Sequence, residues 1–176
     1  MTMKNFVMKY GKWVAIAVVV ISFGLLAIPG FFKLTPNSFN GYEMIFRFKF
    51  EKGSDFNWLA SNGNNSVCTI GIVALVFALL SGVSVAFDKK SCALDILSGV
   101  LLVFSGIVFL SMQAWAVICY KRTNLSECSI GAVSYVIGAL QLLVGAMITY
   151  KGFSILKEEK SNPKAVTYSY LKKNNK

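Results

Sequence analysis

The chain has 176 residues, the length of one domain, with 55% hydrophobic and only 15% charged residues and a mean hydropathy of +0.59, a balance that excludes an ordinary soluble domain. Histidine is absent, which removes the commonest zinc ligand and the commonest general base together. Cysteines 68, 92, 119 and 128 show no CxxC or zinc-type spacing, so no metal, no cofactor and no catalytic residue is expected.

The formal charge of +10 gathers at the ends of apolar segments and in the C-terminal tail, a distribution that fits membrane orientation rather than nucleic acid. Residues 1–12 carry Lys4, Lys9 and Lys12 and read as a short N-terminal flank. The first apolar block, 13–32, closes on Pro29 and Gly30. It exceeds the about 7–15 residues of a signal-peptide core and lacks an AxA-like site after Ile28. It therefore reads as a retained first span, with a cleaved leader at Ser22-Phe23-Gly24 as the alternative.

Residues 33–66 are the one sizeable polar segment between spans. Tyr42, Met44, Phe46, Phe48 and Phe50 alternate with Glu43, Ile45, Arg47, Lys49 and Glu51, the period-two pattern of a half-buried strand. Asn40-Gly41 and Lys52-Gly53 flank it as turn signals. A strand over 42–51 needs a partner, supplied by residues 31–34 as a short β-hairpin-like segment or by a second copy. Its aromatic side either rests on the bundle top and headgroup layer or offers a docking edge to another chain. Asn64-Asn65-Ser66 and Asn124-Leu125-Ser126 match the glycosylation pattern, a motif short enough for chance.

The second block, 67–87, carries Gly71, Ala74, Ala78 and Ser81 at helical spacing. A tight turn over 88–91, with Lys89 and Lys90, makes it an antiparallel neighbour of the third block, 92–120. There Asp95, Gly99, Leu102, Gly106, Phe109, Gln113 and Ala116 recur at steps of four and three, and Trp115 and Tyr120 lie where interfacial anchors do. A short connection, 121–129, leads to the fourth block, 130–152. Gly131, Ser134, Gly138, Gln141, Gly145, Thr149 and Gly152 share one helical face of this block, which has about the ~20 residues a bilayer core requires. Lipid gives no hydrophobic reward for hiding leucine, so spanning helices meet where small side chains let backbones approach. This face is therefore the expected seam, with larger side chains of the third block against its glycines. Residues 153–176 form a basic tail that Asn162-Pro163 interrupts, expected to be mobile or surface-associated.

The fold class is an all-α membrane protein, an antiparallel four-helix transmembrane bundle. Twelve Lys and Arg flank the spans on the side of both termini, against six on the other, which predicts cytoplasmic termini and places 33–66 and 121–129 outside. Asp95, Gln113 and Gln141 are the candidate intramembrane polar residues. At the start of its span Asp95 suits a helix N-terminus and could reach the headgroups beside Lys89 and Lys90. The two glutamines read as interhelical hydrogen-bonding groups or as points on a solute path. Cys68, Cys119 and Cys128 share the outer side, where an oxidised pair or buried thiols are both natural. The tail has no nucleic-acid module, and attraction to anionic headgroups is sufficient for it.

With Phe39-Asn40-Gly41-Tyr42-Glu43-Met44-Ile45-Phe46 ahead of three closely spaced spans, the chain resembles small uncharacterised four-span membrane proteins of Gram-positive bacteria. That resemblance implies a bacterial plasma membrane and no established activity. The loop layout is also similar to that of claudins, but the long loop has Trp58 and no cysteine, so no claudin residue is carried over. The expected function is a non-enzymatic structural or partner-binding membrane component, forming a homo-oligomer or engaging another membrane protein. The alternative is a small-solute permease or permease subunit.

Overall fold

The computed structural model describes residues 3–34, 37–46, 48–49, 57–58, 68–87, 92–119 and 128–161. In chain order it contains α1 (Met3–Leu26), β1 (Phe32–Leu34), β2 (Asn37–Phe39), α2 (Gly41–Phe46), β3 (Phe48–Lys49), β4 (Asn57–Trp58), α3 (Thr69–Phe87), α4 (Cys92–Leu110), α5 (Met112–Cys119), β5 (Cys128–Ile130) and α6 (Ala132–Ser161). The four long helices, α1, α3, α4 and α6, are each long and apolar enough to cross a membrane.

They run alternately up and down. Lys12 of α1 donates to the Ala86 carbonyl at the end of α3 (2.8 Å), supplying an acceptor-rich helix terminus with a cation. Gly11 lies against Ile148 and Lys151 of α6, and Gly152 against the Cys92 carbonyl of α4. The start of α1, the end of α3, the start of α4 and the end of α6 thus share one end of the bundle. Around the ring, α1 packs on α6, α6 on α4, α4 on α3 and α3 on α1, the α4·α6 contact being the most extensive.

The opposite end is capped. β1 pairs antiparallel with β2 (Phe32↔Phe39, Lys33↔Ser38, Leu34↔Asn37) and with β5 (Phe32↔Ile130, Lys33↔Ser129, Leu34↔Cys128). Successive strand residues face opposite sides. Phe32 and Phe39 turn into the bundle, their ring centroids 6.1 Å apart, while Ser38, Lys33 and Ser129 face out and are exposed. With Leu26, Phe31, Met44 and Ile45, the two phenylalanines join Ala74, Leu75, Phe109, Met112, Ala116 and Ile137 in one core cluster. A second cluster, from Ala15, Val18, Val19, Val85, Leu102, Val144 and Ile148, fills the other half.

Several expected boundaries are corrected. α1 starts at Met3 rather than near residue 13, because no residue before Pro29 breaks it; Phe31 and Phe32 leave the span for the cap. Gly30 makes that exit at φ 82, a backbone conformation glycine adopts without steric cost. The third block is two helices. At Ser111 the hydroxyl donates to the Ile107 carbonyl (2.8 Å) and accepts from Trp115 Nε1 (3.0 Å), and such back-bonding bends helices. The fourth helix continues beyond residue 152 to Ser161, since nothing stops it before Asn162-Pro163; the rest of the expected tail lies outside the described residues.

The strand expected over 42–51 is the largest correction: Gly41–Phe46 is helical. Asn40 Oδ1 accepts from the Glu43 backbone N–H (2.9 Å), and Glu43 Oε2 accepts from the Asn40 N–H (2.8 Å). This reciprocal capping box satisfies two orphan donors and starts a helix turn, which outweighs the alternation. Among the described residues only Phe48–Lys49 keeps a strand, paired with Asn57–Trp58. Residues 32–34 pair instead with Asn37–Phe39 and with Cys128–Ile130.

Candidate functional site

Small residues bring α4 and α6 to backbone contact. A Cβ placed on Gly106 would lie 2.8 Å from the Gly138 carbonyl oxygen, and one on Gly138 2.9 Å from that of Gly106. Gly145 and Gly99 face each other likewise, with the Gly99 carbonyl 2.8 Å from a Cβ on Gly145, and Gly152 rests on Cys92 and Ile96. Glycine meets glycine at these levels, and the large third-block side chains expected against the fourth block's glycines are there as well: Leu110 lies against Gly138, Val103 against Gly145 and Ile96 against Gly152. Gly131 belongs to the cap: it packs on the Gly30 carbonyl and donates its N–H to Phe31 (2.8 Å).

Hydroxyls tie α4 to both neighbours. Ser134 of α6 donates to the Phe109 carbonyl (2.7 Å), Ser105 of α4 to the Ala74 carbonyl of α3 (2.9 Å), and Ser98 to the Ser81 carbonyl (3.0 Å). All are buried, where such bonds have no competing water.

At the lower end of the seam lies a buried ion pair. Lys151 Nζ donates to Asp95 Oδ1 at 3.0 Å and stands 2.8 Å from Oδ2; Asp95 is wholly buried and Lys151 is 8% exposed. The expectation that Asp95 reaches toward the headgroups is corrected. Its first-turn position on α4 directs it at α6, one step from the Gly99·Gly145 contact. The sequence reading missed Lys151 as a partner of Asp95 by counting it only among the cations that flank the last span. The available signal was its place at the end of an apolar run, two residues after Thr149 and one before Gly152 of the small-residue face.

Gln141 is fully buried, and neither Oε1 nor Nε2 has a hydrogen-bond partner among the described residues. It stands on α6 between Ile137 of one apolar cluster and Val144 of the other. Gln113 is half-buried on α5 and accepts from Tyr135 Oη at 3.4 Å. The three polar candidates do not converge. Asp95 and Gln113 are eighteen positions apart, about 27 Å of helix, and Gln141 is ten positions from Lys151, about 15 Å.

No protein-family model, curated protein or solved structure matches the chain.

The expected docking stripe is also corrected. Met44 is wholly buried, Phe46 packs on the cap core, and Tyr42 donates its hydroxyl to the Phe23 carbonyl of α1 (2.7 Å). Burial raises the Tyr42 phenol above its ordinary value. These three side chains hold α2 to the bundle and are not presented to a partner. The Phe48 side chain and Phe50 lie outside the described residues. Among the described residues no three His, Cys, Asp or Glu side chains gather to hold a metal.

Proposed function

We propose that the chain is a non-enzymatic, multi-pass protein of a bacterial plasma membrane, with both termini cytoplasmic, whose capped outer end binds a protein partner. The carrying observation is the cap. Phe31, Phe32, Phe39, Met44 and Ile45 are at most 2% exposed and fill the bundle end, so the interior is stoppered where a solute would enter. The face left outward is the polar row Ser38, Lys33 and Ser129 on a sheet that pins both outer segments together. Such a platform suits recognition. The orientation survives the reassignment of Lys151: with its charge matched by Asp95, eleven flanking cations still oppose six. The basic residues after Lys151 suit anionic headgroups.

Photocrosslinkers at Ser38 and Ser129, with native mass spectrometry in lipid, test this reading. It predicts adducts to a second protein, or to a second copy, from these positions and none from lipid-facing Leu143. A solitary chain without adducts contradicts it.

One observation favours the permease reading: the buried Gln141 amide has no hydrogen-bond partner among the described residues. Liposome flux separates the two. The partner-binding reading predicts no flux above protein-free vesicles, and flux unchanged by Asp95→Asn with Gln141→Leu would remove these residues from any transport path.

A further inference from the structure

α3 and α5 meet at the capped end through two thiols. Cys68 stands immediately before α3; its N–H donates to the Ile45 carbonyl (2.9 Å) and its carbonyl accepts from Gly71 and Ile72. Cys119 ends α5. Their sulfurs are 2.9 Å apart across a sequence separation of 51, against the ~2.05 Å of a disulfide. Cys68 is wholly buried and Cys119 partly so, and both backbones are held by helix ends that the cap core fixes. Cys92 lies at the other end of the bundle, at the start of α4.

We propose that Cys68 and Cys119 are an oxidisable pair that closes to a disulfide and clamps α5, beyond the helix break at Ser111, to α3. The inference rests on the outward placement of the capped end, since disulfides persist in oxidising compartments. The oxidant is a disulfide-bearing exchange partner, either a protein thiol–disulfide oxidoreductase or a small-molecule disulfide. The more accessible Cys119 thiolate attacks one of its sulfurs, forming a mixed disulfide and releasing one thiolate. The Cys68 thiolate then attacks Cys119 Sγ and expels the second. The chain loses two protons and two electrons, and the oxidant's disulfide becomes two thiols. Met112 and Ala116 of α5 belong to the cap core, so the clamp fixes the cap as well.

The experiment uses the full chain in lipid nanodiscs with oxidised glutathione as the probe, followed by alkylation under denaturing conditions and non-reducing peptide mass spectrometry. The expected result is a cross-linked peptide containing Cys68 and Cys119, with alkylated cysteines falling from four to two. The link vanishes in Cys68→Ser and in Cys119→Ser and persists in Cys92→Ser and Cys128→Ser. A Cys119–Cys128 link, or four alkylated cysteines, overturns the proposed geometry. The same measurement on cells quenched with alkylating reagent before lysis should find the link already present. A chain that links in nanodiscs but arrives fully reduced from cells overturns the outward placement instead.

Discussion

Asp95 and Lys151 neutralise each other inside the bundle, and neither is tolerable there alone. Removing one partner of such a pair strands the other, at about 3–5 kcal/mol, whereas replacing both by apolar groups is often neutral. Asp95→Asn is therefore expected to lower the unfolding midpoint in nanodiscs sharply, while Asp95→Leu with Lys151→Met recovers most of the loss. Equal destabilisation by the single and double variants would show that the pair is incidental to the packing. Tyr42 gives a pH signature. Its folded phenol titrates above the ordinary value because burial disfavours the phenolate, so the stability it contributes is complete below about pH 10. That contribution is lost as pH rises through the raised value. Tyr42→Phe should cost about 1 kcal/mol at neutral pH and show a shallower alkaline loss than the wild type, measured by thermal unfolding from pH 8 to 12. Parallel pH curves would count against this role.

Among elements, the α4·α6 seam is where sequence periodicity and packing meet most directly. Gly138, Gly145 and Gly152 are seven apart, as are Gly99 and Gly106, and this spacing keeps each set on one side of its helix. The periodicity led to the pairing of the third and fourth blocks but not to the levels at which they meet: that Gly106 faces Gly138 and Gly99 faces Gly145 is a tertiary fact. Gly145→Ala and Gly106→Ala each push a Cβ to within 3 Å of the partner backbone and should destabilise by about 1–3 kcal/mol. Gly24→Ala in α1 meets nothing within 4 Å and should be neutral or stabilising by up to about 1 kcal/mol through helix propensity. Chemical unfolding of the three variants in the same lipid checks the contrast, and equal effects would contradict a close seam. The polar segment was less legible. Its alternation over 42–50 suggested a strand, but Asn40 and Glu43 are spaced as a capping box, and a local pair of hydrogen bonds decided the backbone. The meeting of residues 32–34 with 128–130 and of Cys68 with Cys119 joins distant segments, for which a single sequence carries no spacing signal.

At the scale of the whole molecule, the described residues place four apolar helices in a ring whose interior holds two apolar clusters, hydroxyl-to-carbonyl bonds and the Asp95–Lys151 pair. The number of helices was readable from the apolar blocks, while their ends were not: α1 begins ahead of its block at Met3 and stops short of it at Leu26, before Pro29, and α6 runs past its block to Ser161, just before Asn162-Pro163. On the reading proposed above, the capped end is the surface through which the bundle meets other molecules. Substituted-cysteine labelling tests that arrangement most directly. In a chain whose native cysteines are replaced by serine, Ser38→Cys on the cap and Ser161→Cys at the end of α6 are each exposed to a membrane-impermeant maleimide on intact cells and again after lysis. The account predicts labelling of position 38 on intact cells and of position 161 only after lysis. Labelling of position 161 on intact cells, or of 38 only after lysis, would contradict it.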